Sequence, residues 1–335
     1  MKIKQLVVAL LCTHYACGVS ALQPLDEVDL AQATGQDGVS IGLHFPNATI
    51  SYDQFMLSSD GITGSITGHT NQASLVIAPT TNNSTQGIRL FKADGSISSE
   101  QIKIHIDADG NAGKPVANLN MTLADTTRIR INPFSIYLAS GSTDIFTSRK
   151  IDTITSNVTR ANVHEIVKFN THGLDITFKN NETLGVNIQL GNAAQGAMFK
   201  LSGTLLCIAT NNMCVSGLAD DGTNPIEMMS VGGSSLKLGL KLSATNQTTG
   251  FRLHAHNDTG EQFGGVYGVV ADQGLVIGAA GTTDKFDLTL SNLTMGDKNA
   301  TPSSTVFNGL KNGSIGNIGM NGMSITDFKM TVSGM

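Results

Sequence analysis

The chain has 335 residues, of which 40% are hydrophobic, 5% aromatic and 14% charged, and its net charge is −5 at pH 7. This weak acidic balance, without any basic stripe, excludes a protein that binds nucleic acid through its phosphates. The 37 glycines, together with many Asn, Ser and Thr residues, are typical of the turns and polar strand faces of exported β proteins.

The first 21 residues have the pattern of a secretory signal peptide. Lys2 and Lys4 form a basic start, residues 6–12 form a short apolar run, and small residues end the segment at Ala21. A competing interpretation is a lipoprotein that is cleaved before Cys17. No later apolar stretch has the length of a membrane-spanning helix, so we expect an exported protein that is not an integral membrane protein. Its predicted location is the cell surface, the outer membrane or the periplasm.

Residues 22–38 predict a short helix that ends at a glycine. Pro24 suits the first turn, and Asp26, Glu27 and Asp29 lie where the helix dipole favours carboxylates. Gly35 can adopt the left-handed conformation that ends helices. From Val39 the period changes to two, which predicts the first strand over residues 39–45.

The junction between this helix and the first strand also resembles a known family. The motif consists of Thr34, Gly35, Gln36, Asp37 and Gly38, just after a signal peptide. It is similar to the opening of FilA-type proteins, which are pilus-system or surface proteins of Acinetobacter-like Gram-negative bacteria. The resemblance implies an exported protein of a pilus-like system, and it carries over no catalytic residue.

The rest of the chain, residues 39–335, predicts one β-rich domain. Apolar and polar residues alternate over many short segments, which include 102–106, 119–123, 129–138, 174–178, 184–190, 236–242 and 286–290. Turn signals such as 109–111 and 179–181 separate them. The predicted fold class is therefore all-β, with many antiparallel strands in a sandwich or an elongated rolled sheet, preceded by the short N-terminal helix. A weak boundary near residues 140–160 and a helical alternative over residues 159–166 stay open.

Two of the four cysteines follow the signal peptide. A hairpin with a four-residue loop over residues 209–212 would place Cys207 opposite Cys214. Because exported proteins meet an oxidising compartment, we predict a disulfide between them. A metal site would need more ligands than these two thiolates.

Two other patterns allow chemistry, but simpler interpretations account for them. Residues 107–111 resemble the start of a calcium loop, although position twelve is Asn118 rather than an acidic ligand, so a turn explains them better. His254 and His256 share one strand face near Asp258 and could hold a metal, but surface histidines are the plainer interpretation. No catalytic motif is present, so we expect no enzyme, cofactor or metal.

These observations favour a structural or adhesive surface protein, a component of a pilus-like system, which acts by β-strand-mediated assembly or docking. Its expected partners are other pilus subunits, assembly proteins or a surface receptor. The segments 39–45 and 324–332 are the predicted exchangeable strands. The alternative is a periplasmic or outer-membrane-associated module that binds a lipid or a small apolar ligand, since aliphatic strand faces and a late Met cluster line adaptable apolar surfaces.

Overall fold

The computed structural model describes residues 38–44, 49–52, 54–59, 73–79, 87–98, 102–110, 113–140, 163–170, 172–191, 197–214, 225–229, 235–256, 262–272, 274–278, 281–296 and 313–333. The chain divides into two compact units, Met1–Val39 and Ser40–Met335. The predicted signal peptide, the predicted helix and the first four residues of the glycine motif lie outside the described residues, as does the weak boundary near residues 140–160. Gly38, the last residue of the motif, precedes the first strand with a φ of 72°.

The described residues form 22 strands, numbered here in chain order. They are β1 (Val39–Leu43), β2 (Thr49–Ile50), β3 (Phe55–Ser59), β4 (Ala73–Pro79), β5 (Ile88–Phe91), β6 (Ile102–Asp109), β7 (Val116–Leu123), β8 (Arg128–Ile131), β9 (Phe134–Ser140), β10 (Val163–Phe169), β11 (Leu174–Phe178), β12 (Gly185–Gly191), β13 (Phe199–Ser202), β14 (Leu205–Thr210), β15 (Ile226–Met229), β16 (Ser235–Ala244), β17 (His254–His256), β18 (Gln262–Ala271), β19 (Gly274–Gly278), β20 (Phe286–Gly296), β21 (Gly313–Met323) and β22 (Lys329–Val332). The all-β prediction is confirmed for this part of the chain.

These strands build two curled antiparallel sheets. The first sheet has nine strands in the order β1-β6-β7-β12-β13-β18-β19-β22, with β17 paired to β18. The second has 13 strands in the order β2-β5-β8-β11-β14-β16-β15-β10-β9-β4-β3, and β20 and β21 continue it from the other side of β16. The chain crosses between the sheets several times, so strands that are distant in sequence become neighbours.

The predicted alternation places apolar and polar residues on opposite faces of the nine-stranded sheet. One row on the apolar face crosses from β6 to β22, through Ile106, Leu119, Ile188, Phe199, Gly268, Ile277 and Met330. A neighbouring row on the opposite face runs through His105, Asn120, Asn187, Lys200 and Tyr267. Several residues of the apolar face stay exposed, among them Val270 at 62% and Leu190 at 57%.

The 13-stranded sheet forks at β16. The first residues of β16, Ser235–Leu238, pair with β15, and Lys241–Ser243 pair with β14 on the same side of the strand. The full length of β16 pairs with β20 on the other side, with a register shift next to Gly239. Thr210 lies at the fork, where its Oγ1 accepts a hydrogen bond from Leu240 N at 3.0 Å.

Buried apolar residues form separate clusters within the 13-stranded sheet. One combines Val76 and Ala78 of β4 with Tyr137 and Ala139 of β9. A second surrounds Leu238 beside the fork, and a third surrounds Phe251 and Phe286, whose rings lie 4.9 Å apart. The 13-stranded sheet is therefore held by cross-strand packing as well as by its hydrogen-bond ladders.

The structure corrects one predicted segment and decides an open alternative. Residues 129–138 do not form a single strand, because Asn132 and Pro133 separate β8 from β9. Proline has no N–H to donate to a ladder, and the two strands enter different arms of the fork. Residues 163–166, the described part of the helical alternative, belong to β10.

Candidate functional site

The two segments predicted to be exchangeable lie at opposite edges of the nine-stranded sheet. β1 pairs with β6 and β22 pairs with β19, and within the described residues neither strand has a second neighbour. An edge strand leaves about half of its backbone N–H and C=O groups without a ladder partner. The predicted segments were longer than these strands, since Phe45 is outside the described residues and residues 324–328 form a bend before β22.

The β22 edge also presents apolar side chains. Met330 lies opposite Ile277 and Val332 lies opposite Leu275, so both extend the apolar face of the sheet to its last strand. Met330 is 42% exposed and Val332 is 51% exposed. A strand added here would gain backbone hydrogen bonds and would also cover an apolar surface.

Hydrogen bonds fix the bend that precedes β22. Thr283 N donates to Ile325 O at 2.9 Å, and Ile325 N donates to Thr283 Oγ1 at 3.0 Å. Asp327 N donates to Gly281 O at 3.1 Å, while Gly281 N donates to the Asp327 carboxylate at 2.8 Å. The edge strand is therefore attached to a rigid corner.

β21 forms a comparable edge of the 13-stranded sheet but is less regular. It contains no charged residue and no proline, which are common protections of sheet edges, and Ile315, Ile318 and Met320 are exposed. Its ladder with β20 shifts register three times, whereas the ladder between β19 and β22 is continuous. Because bulges bend a strand away from a potential neighbour, β22 is the better docking edge.

Cys207 and Cys214 form the predicted disulfide, although the predicted hairpin is wrong. Cys207 lies in β14, but Cys214 ends a turn over residues 211–214 instead of lying in a second strand. Asn211 and Asn212 have φ values of 57° and 60°, which Asn tolerates better than most residues. The disulfide closes this turn, and the Asn212 carboxamide accepts a hydrogen bond from Arg130.

An open polar groove of about 540 Å³ lies on the polar face of the nine-stranded sheet. Lys103, Glu182, Thr204 and Arg252 are among the residues that line it. Its charges are largely paired, since Lys179 Nζ lies 2.6 Å from Glu182 and Arg252 Nε donates to Asp284 at 2.9 Å. The hydrogen bond from Lys179, followed by that from Thr204, lowers the pKa of Glu182.

Of the histidine pattern, the structure describes the side chain of His254. His254 Nε2 lies 3.6 Å from Asp284 Oδ1, and Asp258 is outside the described residues. Among the residues that the structure describes, no group of three His, Cys, Asp or Glu side chains could hold a metal ion. In the segment that resembles a calcium loop, the Asp107 carboxylate accepts a hydrogen bond from the neighbouring Ala108 N at 2.8 Å.

One functional candidate escaped the sequence analysis altogether. Arg89, Arg128 and Arg130 of β5 and β8 surround Phe91. The repeated Arg-Ile spacing in residues 128–131 was the available signal, because period two puts both arginines on one face.

Within the described ranges, no helix has the length and the apolar character needed to cross a membrane.

The comparison with known families gives one result. Residues 1–132 match a family of unknown function, DUF6160. No curated protein and no solved structure matches the chain. The matched region ends at Asn132, between β8 and β9.

Proposed function

We propose that this chain is an exported structural or adhesive surface protein of a pilus-like system, which docks a partner strand at an exposed sheet edge. The observation that carries the proposal is the β22 edge, where a regular strand on a fixed corner has one neighbour among the described residues. The disulfide between Cys207 and Cys214 supports an oxidising location.

The docked strand would be recognised in two ways. Its backbone would pair with the outward N–H and C=O groups of β22, which is largely independent of sequence. Its alternate apolar side chains would continue the face formed by Leu275, Ile277, Met330 and Val332. We therefore expect the partner to be an extended segment with period-two hydrophobicity, supplied by another subunit or an assembly protein.

The test introduces charge at the edge alone. A Met330→Lys/Val332→Lys variant adds two positive charges to exposed positions of β22, and lysine at an edge disfavours strand pairing. Cells producing each variant are sheared gently, and the sheared fraction and the periplasmic extract are compared by native blot. We expect the edge variant to lose the high-molecular-weight material that the unaltered protein gives in the sheared fraction.

The matched control adds the same charges to the same apolar face away from the edge. Leu190 and Leu201 are exposed residues of β12 and β13, so a Leu190→Lys/Leu201→Lys variant should fold and assemble normally. Assembly of the edge variant in unaltered amounts would refute the docking proposal.

The exposed apolar face favours a second candidate, a module that binds a lipid or another apolar ligand. Val270 and Leu190 lie on that face with more than half of their surface open to water, and such exposure is typical of interaction sites when it is contiguous. Native mass spectrometry should then detect a co-purified lipid, which the Leu190→Lys/Leu201→Lys variant would lose. A ligand-free spectrum for the unaltered protein would contradict this candidate.

A further inference from the structure

Three guanidinium groups gather around one phenylalanine in the 13-stranded sheet. The strands β5 and β8 pair so that Arg89 lies opposite Arg130 and Phe91 lies opposite Arg128. The Cζ atoms of Arg128, Arg89 and Arg130 lie 4.3, 5.4 and 5.6 Å from the centroid of the Phe91 ring. Phe91 itself is buried, so the three cations lie against an apolar surface with reduced access to water.

Among the residues that the structure describes, one of these arginines has a partner that balances its charge. Arg130 Nε and Nη2 each donate to Asp175 at 2.7 Å, in the two-pronged geometry that suits guanidinium and carboxylate groups. Arg130 Nη2 also donates to Asn212 Oδ1. Two of the three guanidinium nitrogens of Arg130, Nε and Nη2, therefore already donate hydrogen bonds within the protein.

Arg89 and Arg128 have no such partner within the described ranges of the chain. No carboxylate of the described residues lies within ion-pair distance of either side chain, and the buried Nε of Arg128 has no hydrogen-bond acceptor. Burial lowers the pKa of Arg128, the charge of Asp175 opposes this, and the charge of Arg130 adds to it. Three arginines and one aspartate leave a net charge of about +2 in a half-buried cluster, and a buried cation is costly unless an anion offsets it.

We propose that Arg89 and Arg128 bind a tetrahedral oxyanion, a phosphate or sulfate group, either free or as the end of an ester. A dianion matches the unbalanced charge of the cluster. The planar fork of each guanidinium can donate two parallel hydrogen bonds to the oxygens of such an anion. The Phe91 ring orients both cations, so part of the ordering cost is met before the anion binds.

The disulfide turn contributes to the specificity of this site. Because this turn holds Asn212 against Arg130, it keeps the Arg130 guanidinium on Asp175. Arg89 and Arg128 are then the two arginines that bind the oxyanion. This site is independent of the β22 edge, and its test is separate from the assembly test.

Isothermal titration of the oxidised, full-length protein with sodium phosphate, sodium sulfate or methyl phosphate tests the proposal, with sodium chloride keeping ionic strength constant. We expect saturable binding, and an Arg128→Gln variant should weaken it by about tenfold or more, the equivalent of losing a charged hydrogen bond. An Arg89→Gln variant should act in the same direction. Circular dichroism verifies that each variant is folded.

Lys92→Gln is the matched control, because it removes the same charge just after β5 from a half-buried side chain that lies 3.8 Å from Asp125. It should leave binding unchanged. Equal binding of phosphate and methyl phosphate supports an ester end as the natural ligand, whereas preference for inorganic phosphate or sulfate supports a free anion. The proposal fails if the unaltered protein shows no saturable binding, or if Lys92→Gln weakens binding as much as Arg128→Gln.

Discussion

At the residue scale, the pair of Arg130 and Asp175 shows how this fold tolerates a charge on a buried strand face. Asp175 is 1% exposed, and both of its carboxylate oxygens accept a hydrogen bond from Arg130. The two residues are 45 positions apart and face each other directly across β8 and β11. The register of two strands therefore depends partly on one ion pair.

Replacing this aspartate should be costly. In an Asp175→Asn variant the Arg130 charge loses its partner beside two further arginines, so we expect a loss of about 3–5 kcal/mol in the free energy of unfolding, as for other broken buried pairs. Asp284→Asn, which disrupts the more exposed pair with Arg252, should cost less than about 1 kcal/mol. Urea unfolding of both variants measures the difference, and equal losses would show that Asp175 is not buried as described.

The same Asp284 predicts a pH dependence. Burial raises its pKa, but the hydrogen bond and charge of Arg252, with a smaller effect of His254, leave it lower than its ordinary value. Since the folded-state pKa is the lower one, the carboxylate stabilises the fold above the ordinary pKa, and this contribution disappears as the pH falls through the folded value, below about pH 4.

Thermal unfolding across this acid range checks the expectation. The Asp284→Asn variant should lose less stability on acidification than the unaltered protein. Asp272→Asn, which alters an exposed carboxylate next to β18, serves as the control. An unchanged acid slope in the Asp284 variant would contradict the assignment.

At the element scale, the fork of the 13-stranded sheet depends on a position without a side chain. A Cβ added at Gly239 would overlap the Ser291 Oγ across the ladder and would lie 3.3 Å from Met213 Cε in the disulfide turn. Gly239→Ala should therefore destabilise the protein by about 1–3 kcal/mol, which is typical of overpacking.

A second substitution can show that the overlap between the added Cβ and Ser291 Oγ causes the loss of stability in Gly239→Ala. Ser291 Oγ is buried without a hydrogen-bond partner, so removing it sacrifices no bond. Ser291→Gly in the Gly239→Ala background should restore part of the loss, and a double-mutant cycle by chemical denaturation quantifies the coupling. Strictly additive effects would mean that the two positions do not interact.

The strands themselves were largely predictable, because their signals are local. Alternation over residues 102–106 and 174–178 depends on neighbouring residues alone, and β6 and β11 include these segments. The split at Pro133 was missed although the alternation changes phase there, since the apolar residues are odd-numbered before it, at Ile129 and Ile131, and even-numbered from Phe134 on. In place of the turn over residues 211–214, a hairpin loop over residues 209–212 was predicted, since two Asn between apolar residues suit either structure.

At the scale of the whole molecule, the strand order could not be predicted from the sequence. β4 pairs with β9 and β11 pairs with β8 and β14, and nothing local in those strands specifies the partner. The arginine cluster depends on that order, because Arg89 and Asp175 approach Arg130 from two different neighbours. For the same reason, the sequence could indicate β22 as a candidate strand but could not indicate that it lies at the edge of the nine-stranded sheet. That position depends on the strand order.

The fork at β16 has a consequence for the order in which the protein folds. Among the described residues, two arms of the sheet, one ending in β14 and the other in β15, are joined through residues 235–244 alone. All ten strands of the two arms precede β16 in the chain, so neither arm can complete its last ladder until that segment has been synthesised. Pairings within the arms, such as that of β4 with β9, join distant segments and slow folding further, since long loops must close before their contacts form. The early strands should thus remain available to other partners for longer than the late ones.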